Sequence, residues 1–473
     1  MIDPENIQTD AAPDVPESED HGGELESGIE REIVEALGIG DVETVRDLVG
    51  RLHYADIADL LEHLSTDERH LFLEISKGDL DPEIFLELDE AVRDEIVDQL
   101  GVEYVAAAVS ELETDDAVTV VEELDDDEQE QVLAAIPDSD RRLIEEGLSY
   151  PEDSAGRLMQ REVMTVPEFW NVGETIDFMR EHAEGDRPVV LPDMFYDIFV
   201  VDPARKPLGS IPLSRLLQSK RPVAVTAIMS PELKLIPVAM DQEDVAYLFS
   251  QRDLVSAPVI DEGGRLVGAI TIDDVVDVIH EEHEEDIMRM GGVREDDLYA
   301  AAADTAKARF MWLLVNLGTA VLASSIIGLF KASLDQMVAL AVLMPIVASM
   351  GGNAGTQTLT VAVRALAMKD LTATNASRII GKELIVGSLN GLVFAVITGG
   401  VAWAWFDSPA LGAVIASAMV INMIVAGLAG TTIPLLLERA GIDPAIASSV
   451  FLTTVTDVVG FAAFLGLAAW FLL

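Results

Sequence analysis

A single carboxylate, Asp457, lies in the middle of the last apolar stretch of the sequence, residues 445–473. It is the only ionisable residue of that stretch, which is long enough to cross a bilayer because about 20 apolar residues suffice. A carboxylate at the bilayer centre costs about 2.5–3.5 kcal/mol on insertion scales, so such residues are rare and usually functional. We interpret Asp457 as a side chain that faces water and binds a cation. The alternative is a buried carboxylate that neighbouring helices satisfy.

Hydroxyl groups surround this carboxylate. Thr453 lies one helical turn before Asp457, Thr454 and Thr456 are close in sequence, and Gly460 follows. Hydroxyls beside a small residue suit a wet helix face that holds hydration water, although they also suit tight helix–helix packing. With the carboxylate among them, we predict that Thr453 and Thr454 line a pore.

A second polar segment, residues 344–357, lies in an earlier apolar stretch and contains Pro345 and three closely spaced glycines. These residues weaken a helix, so we predict that they interrupt the span. Irregular backbone at membrane depth is tolerated where it lines a cavity or is covered by protein. Asn353 and Gln357, four residues apart, would place two amides on one face of this lining. A packing seam of small residues is the alternative.

All the candidate ligands in the membrane part are oxygen atoms. The sequence contains no Cys, and no His follows His283. Oxygen ligands suit the hard cations Mg²⁺, Ca²⁺ and Mn²⁺, and Mg²⁺ usually keeps several waters beside one or two carboxylates. One Asp per chain would match that chemistry if a symmetry-related copy faced it, which makes a homodimer with an axial pore our hypothesis.

Carboxylates are also dense before the membrane part. Residues 273–286 contain ten carboxylates or imidazoles in 14 positions, and like charges repel when they lie three or four residues apart on a helix. A divalent ion that bridged this helix to a neighbour would relieve the repulsion, and its loss would separate them. We therefore consider a cation-dependent switch. A solvated acidic face is the alternative.

The charge balance divides the chain. The sequence has 84 acidic and 30 basic residues, and residues 304–473 are neutral with eight of each, so the entire net charge of −54 belongs to residues 1–303. This acidity excludes a nucleic-acid partner, which would require clustered Lys and Arg. Solubility in concentrated salt explains most of the charge, since screening tolerates dense carboxylates. Particular clusters are candidates for divalent cations.

The sequence predicts a multidomain chain with five parts. Residues 1–28 are polar and acidic, without the apolar core of a signal peptide, and are expected to form a disordered tail. Residues 29–150 have apolar positions at spacings of three and four, typical of stacked helical pairs in an α-helical superhelical domain. Residues 280–307 are expected to form an acidic connecting helix and linker.

Residues 151–279 contain an internal repeat. An apolar strand, a turn, a second strand and a helix occur twice, 59 residues apart, with an Asp seven residues before a Gly in each copy (Asp202 and Gly209, Asp261 and Gly268). This pattern resembles a tandem pair of CBS modules, an α/β regulatory unit that often binds adenine nucleotides.

Residues 308–473 are predicted to form a transmembrane domain of five helices, in contact with membrane lipid. Their approximate spans are 310–330, 336–366, 383–406, 410–437 and 445–473. Basic residues concentrate on one side of these spans, which predicts cytoplasmic soluble domains and an external C-terminus in the cell (inner) membrane.

Together these features resemble the MgtE magnesium channel/transporter family, over nearly the whole chain from about residue 30. Residues 149–156, 351–357 and 443–457 are the most specific matches. The resemblance implies a homodimeric, Mg²⁺-selective pathway rather than an enzyme. It also implies that cytosolic Mg²⁺ bound between the acidic soluble domains holds the pore shut.

The resemblance carries several residues over by motif. It implies that Asp457 is the ion-binding carboxylate of the pore and that Asp443 lies near its cytoplasmic mouth. Met290 stands where a further acid is expected. The regulatory Mg²⁺ ligands that it implies are Asp241, Glu243, Asp253, Asp274, Asp277, Glu282, Glu285 and Asp286.

Some family members bind ATP in the CBS pair. The second CBS copy keeps a Gly-x-x-Thr-x-x-Asp pattern, ending in Thr271 and Asp274, whose acid can hold a ribose. The first copy lacks that acid. Two rival functions remain: a transporter of another hard cation, Mn²⁺ or Ca²⁺, and a non-conducting, membrane-anchored nucleotide or cation sensor.

Overall fold

The computed structural model describes residues 27–78, 80–182, 192, 194–293 and 302–472. The predicted N-terminal tail falls outside them except for its last two residues, which begin the first helix. The chain divides into two compact units, Met1–Leu112 with Asp116–Arg142 and Glu113–Asp115 with Leu143–Leu473.

The N-terminal region consists of short amphipathic helices that bury Leu, Val, Ile and Phe side chains such as Leu60 and Phe72. Acidic and hydroxyl side chains start several of them; Ser65 and Glu68, for example, form a reciprocal capping box, which satisfies amide groups that have no partner in the helix. The predicted helical domain is confirmed. Its helices are α1 (Ser27–Ile39), α2 (Val42–Val49), α3 (Tyr54–His63), α4 (Thr66–Ser76), α5 (Ile84–Glu87), α6 (Glu90–Leu100), α7 (Val102–Val109), α8 (Thr114–Glu122), α9 (Asp126–Ala135) and α10 (Asp138–Leu148).

The predicted repeat forms two three-stranded sheets with one topology. In each, the first two strands are parallel and the last two antiparallel. The first copy comprises β1 (Thr165–Pro167), α11 (Val172–His182), β2 (Asp197–Val201), β3 (Pro207–Pro212) and α12 (Leu213–Gln218). The second comprises α13 (Val225–Ile228), β4 (Ile236–Pro237), α14 (Gln242–Arg252), β5 (Ser256–Ile260) and β6 (Leu266–Thr271).

The repeated glycines are close-approach positions. A Cβ at Gly209 would lie 2.9 Å from the Met229 sulfur, and one at Gly268 would lie 2.7 Å from the Met159 sulfur. The CBS pair predicted from the 59-residue repeat is confirmed.

One helix, α15 (Ile272–Gly291), leaves the second sheet and includes the whole acidic segment. A domain boundary is expected at residue 279, but the helix continues through that position. The residues from 272 to 290 include no Gly or Pro, so nothing ends the helix before Gly292, whose φ of +71° provides a left-handed cap.

The C-terminal part contains, within the described residues, five helices that are long and apolar enough to cross a membrane. They lie within α16 (Ala302–Leu329), α18 (Val338–Ala367), α19 (Ala376–Phe406), α20 (Pro409–Arg439) and α21 (Pro444–Phe471), with a short α17 (Lys331–Gln336) before α18. Helix α20 is central, packing against α18, α19 and α21.

The predicted interruption of the second span is wrong, because α18 continues through Pro345 and all three glycines. Two of the glycines instead permit close helix packing. A Cβ at Gly351 would lie 2.1 Å from the Asn422 amide nitrogen on α20, and one at Gly355 would lie 2.8 Å from Leu452 on α21. Neighbouring helices therefore stabilise a segment that the propensities of its residues disfavour.

Candidate functional site: a carboxylate among the membrane helices and an acidic cavity

Asp457 lies at the fourteenth position of α21, about 20 Å along the helix from its start. It is half-buried. Within the described part of the chain, no hydrogen bond or ion pair satisfies its carboxylate. The side chain therefore remains available to water or a cation, and the structure does not support the alternative of a carboxylate satisfied by neighbouring helices.

The threonines of α21 differ in their surroundings. Thr456 is fully buried and bonds to the Leu452 and Thr453 carbonyls, both at 3.1 Å. Thr453 is exposed and Thr454 half-buried, and their hydroxyls also donate to carbonyl oxygens of their own helix. The two predicted pore-lining hydroxyls thus keep their oxygen lone pairs for water, whereas Thr456 packs.

Sequence reasoning missed Asn422, a fully buried amide on α20. Its nitrogen donates to the Val347 carbonyl at 2.8 Å, while its oxygen has no partner within the described residues. Gly351 and Gly460 make room for it, since a Cβ at Gly460 would lie 2.8 Å from the same nitrogen. The signal in the sequence that could have identified Asn422 is a single amide in a mostly apolar span.

Asn353 and Gln357 share one face of α18, as predicted, and both are exposed. The Asn353 amide is 3.4 Å from the Ser349 hydroxyl, whereas Gln357 borders a cavity of about 120 Å³. Exposed amides at membrane depth require water or another protein surface, because lipid offers them no hydrogen bonds.

A larger cavity, of about 810 Å³, lies where α14 and α15 meet the membrane helices. We call it the acidic cavity. Its charged lining consists of the carboxylates of Asp153, Asp241, Glu243, Glu282, Glu285, Asp286, Glu438 and Asp443, together with Arg289 and Lys369. Five of the eight predicted regulatory residues, and Asp443, are therefore brought together.

Helix starts position several of these carboxylates. Asp241 caps α14 by accepting from the Glu243 amide at 3.0 Å. The next residue, Gln242, donates to the Glu282 carboxylate at 3.0 Å and so joins α14 to α15. Asp443 caps α21, accepting from the Ala445 amide at 2.7 Å.

The acidic cavity holds more negative charge than its neighbours neutralise. Burial, followed by the charges of Glu282 and Asp241, raises the pKa of Glu243 to about 7. Burial also raises the pKa of Glu282 and of Asp286, the latter aided by the charge of Asp443. A bound cation would stabilise all of these ionised groups.

Two cationic side chains of the chain itself reach this region. Arg289, near the end of α15, bonds Asp443 at 2.6 Å and also pairs with Glu285. Lys369, after α18, pairs with Asp244 and lies 5.0 Å from the centre of the Tyr247 ring. Both tie the soluble α14–α15 region to the membrane helices.

Three predicted regulatory residues lie away from the acidic cavity. Asp253 ends α14, about 16 Å from its start. Asp277 is exposed, and Asp274 accepts from the Thr271 hydroxyl at 2.8 Å and amide at 3.2 Å. Burial raises the pKa of Asp274 to about 7. Met290 fills the expected acidic position with an apolar contact to the buried cluster that contains Leu359.

Among the described residues, no three Asp, Glu or His side chains converge closely enough to coordinate one metal ion directly. The carboxylate-rich lining nevertheless suits hard cations. Mg²⁺, which keeps its inner waters, can be held by dispersed carboxylates through those waters.

Comparison with known proteins follows the same division of the chain. Family models described as a divalent cation transporter, the MgtE intracellular N domain and the CBS domain match residues 344–467, 52–153 and 225–281. The magnesium transporter MgtE of Thermus thermophilus is 32% identical over 450 residues, which cover 94% of this chain and 98% of that protein. This chain belongs to the MgtE family.

Other MgtE proteins are similar. The magnesium transporter MgtE of Bacillus subtilis is 29% identical, over 93% of this chain and 96% of that protein. A crystal structure of the cytosolic domain of the Mg²⁺ channel MgtE in complex with ATP is 29% identical and covers 53% of this chain and 99% of that one, with a TM-score of 0.48. The MgtE resemblance found in the sequence, with its helical, CBS and membrane parts, is confirmed.

The raised pKa of Glu243 predicts that protons would compete with any Mg²⁺ that binds in the acidic cavity. The folded chain binds more protons near pH 7 than the unfolded chain, so the contribution of this group to stability decreases as the pH rises through 7. Mg²⁺ must displace that proton. Lowering the pH from 8 to 6 should therefore weaken Mg²⁺ binding about tenfold through Glu243 alone, as measured by calorimetry. Glu243→Gln should reduce this pH dependence; an unchanged profile would place the competing proton elsewhere.

Proposed function

We propose that this chain is a Mg²⁺-selective channel or transporter of the cell membrane, closed by cytosolic Mg²⁺ bound in the acidic cavity. One observation carries the proposal. The acidic cavity reaches Asp443, the cap of α21, and the same helix carries Asp457 in its middle. Ion binding in the soluble part is thus directly adjacent to the helix that we propose lines the pathway.

The donor chemistry supports Mg²⁺ as cargo. Asp457, Thr453 and Thr454 offer a carboxylate and hydroxyl oxygens, and no thiol or imidazole is present in residues 302–472. A hydrated ion needs few direct ligands. An inside-negative membrane potential favours entry by about 2.3 kcal/mol per elementary charge per 100 mV, so a divalent ion needs no hydrolytic motor.

Charge repulsion supports the gating step. Without Mg²⁺, the carboxylates of α15, α14 and Asp443 repel one another, and Arg289 and Lys369 offset only part of this. Bound Mg²⁺ favours the arrangement in which they lie together, and its loss favours their separation. In this proposal, contact between the end of α15 and Asp443 corresponds to the closed state.

A homodimer is part of the proposal. Thr356 and Thr360 join Asn353 and Gln357 as exposed polar side chains of α18, and lipid cannot satisfy amides. A second copy would cover this surface and bring two Asp457 carboxylates towards one pathway. The distribution of basic residues supports cytoplasmic soluble domains and an external C-terminus.

We further propose that adenine nucleotide binds the second CBS copy, near Thr271 and Asp274. Asp274→Ala should weaken ATP binding about tenfold by removing a charge-assisted hydrogen bond to the ribose. Calorimetry with ATP would measure this, and Arg215→Ala, at the corresponding position of the first copy, should have little effect. Equal affinities in the parent and Asp274→Ala would exclude this site.

Ion competition tests the transport proposal. Purified protein in lipid vesicles, with an inside-negative potassium diffusion potential and fixed pH, should take up Mg²⁺. Uptake of Mn²⁺ or Ca²⁺ that excess Mg²⁺ does not inhibit would favour a transporter of another cation. Absence of any flux, with ATP or Mg²⁺ still bound, would favour the sensor.

A further inference from the structure

A second carboxylate, Glu383, lies among the membrane helices on α19. Its side chain is only 12% exposed, and it accepts a hydrogen bond from the Thr358 hydroxyl of α18 at 3.2 Å. Lys382 is 3.6 Å away but is 68% exposed. A mostly buried carboxylate with one neutral donor and one exposed cation is incompletely neutralised.

Glu383 borders the cavity of about 120 Å³ between α18, α19 and α20. The polar lining is completed by Thr358, Gln357 and Asn390, and Glu383 and Asn390 share one face of α19, seven residues apart. Neither amide has a hydrogen-bond partner within the described residues. Because unpaired amides are costly in a membrane, both require water or another protein surface, and the cavity has room for several waters.

Backbone contacts fix the shape of this cavity. A Cβ at Gly387 would lie 2.7 Å from the Met423 carbonyl, and one at Gly427 would lie 3.0 Å from the Glu383 carbonyl. Helices α19 and α20 therefore meet at their backbones beside the carboxylate. The four polar side chains are held by packed helices and not by a loop.

We propose that the membrane domain has a second binding site for a hydrated hard divalent cation, in addition to Asp457. Its ligands are Glu383, Thr358, Gln357 and Asn390. The inference rests on the proposed cation pathway. One span, α20, separates α19 from α21, so both begin on the same side of the membrane domain. Glu383 lies about 10 Å and Asp457 about 20 Å from those starts. Asp443, Glu383 and Asp457 thus place carboxylates at successive depths. Each of the four side chains can offer an oxygen atom as a ligand, and oxygen ligands suit Mg²⁺ or Mn²⁺.

Mn²⁺ binding to the full chain in lipid nanodiscs tests the site, with free Mn²⁺ counted by electron paramagnetic resonance. Glu383→Gln, which is isosteric, should remove one Mn²⁺ per chain or weaken that ion at least tenfold, in the parent and equally in an Asp457→Asn background. Lys382→Met should strengthen the same ion severalfold, because it removes a competing cation. An unchanged Mn²⁺ count and affinity in Glu383→Gln would overturn the proposal.

Two further variants separate ion binding from helix packing. Thr358→Val removes the hydrogen bond and one neutral ligand but keeps the charge of Glu383, so it should weaken Mn²⁺ binding by only a few-fold, which is less than Glu383→Gln does. Equal loss of thermal stability in Thr358→Val and Glu383→Gln, with binding unaffected, would show that Glu383 only joins helices. Should Glu383→Gln not fold, Glu383→Asp, which keeps the charge on a shorter side chain, must still bind the ion; failure to do so in a folded protein counts against the site.

Vesicle flux distinguishes this inference from the transport proposal. A parent protein that conducts no Mg²⁺, yet loses one Mn²⁺ on Glu383→Gln, defeats the proposed function and keeps the site. Normal Mg²⁺ flux in the parent, together with an unchanged Mn²⁺ count in Glu383→Gln, overturns the site and keeps the proposed function.

Discussion

Asp457→Asn should reduce Mg²⁺ flux into vesicles by on the order of 100-fold. A divalent ion about 5 Å from one carboxylate gains about 6–7 kcal/mol at an effective dielectric constant of about 20. Even when dehydration offsets half of this, the remainder exceeds the roughly 2.7 kcal/mol that corresponds to a hundredfold change in rate. Asn keeps the size of the side chain and removes only its charge, so the packing of α21 should be preserved. Uptake of ²⁸Mg²⁺ at fixed membrane potential measures the effect.

The matched control for this variant is Thr456→Val. Thr456 is adjacent on the same helix, fully buried, and bonded to carbonyls of its own helix, so its substitution should leave flux within a few-fold of the parent. Full Mg²⁺ flux in Asp457→Asn would return this carboxylate to a packing role. Flux that depends on a pH gradient in the parent but not in the variant would instead indicate proton coupling.

Replacing Glu282, Glu285 and Asp286 together with Ala should leave the pathway open at millimolar Mg²⁺ on the side of the soluble domains. All three line the acidic cavity, and removing them deletes both the proposed Mg²⁺ ligands and the partner of Arg289 on its own helix. We expect the Mg²⁺ concentration for half-maximal closure to rise at least tenfold, since affinity for hard cations follows the number of charged ligands. Patch recording of single vesicles during Mg²⁺ titration measures this.

Asp273, Glu281 and Glu284 provide the control with equal charge. They are exposed on the same helix and do not line the acidic cavity. Their triple Ala variant loses the same three negative charges, so closure should retain its Mg²⁺ dependence. Similar loss of closure in both triple variants would show that total charge, and not the acidic cavity, sets the response.

The fold could be predicted because its signals are periodic and local. Five apolar spans, a 59-residue repeat and apolar spacings of three and four each determine a structure without knowledge of distant contacts. The prediction for α18 was wrong because it weighed Pro345 and the glycines by intrinsic propensity. Asn422 and Leu452, far away in sequence, are what turn Gly351 and Gly355 into packing positions.

The candidate site could be predicted only where one residue was conspicuous in its surroundings. Asp457 was conspicuous in an apolar span, whereas Glu383 stood next to Lys382 at the predicted start of its span, until α19 proved to begin at Ala376. The predicted regulatory residues do not all lie in the acidic cavity, because Asp241 and Asp253, for example, lie at opposite ends of α14. The crossing angle between α14 and α15 determines which carboxylates line the same cavity. No local sequence pattern specifies that angle.

The unbroken course of α15 makes it a lever arm. From Thr271, where it leaves the second CBS sheet, to Arg289, where it touches Asp443, the helix spans about 27 Å. A rocking of about 5° at the sheet end would therefore sweep the guanidinium through about 2.5 Å, comparable with the 2.6 Å length of the bond it would break. A motion too small to disturb the fold of the soluble domain would be sufficient to break the contact between Arg289 and Asp443.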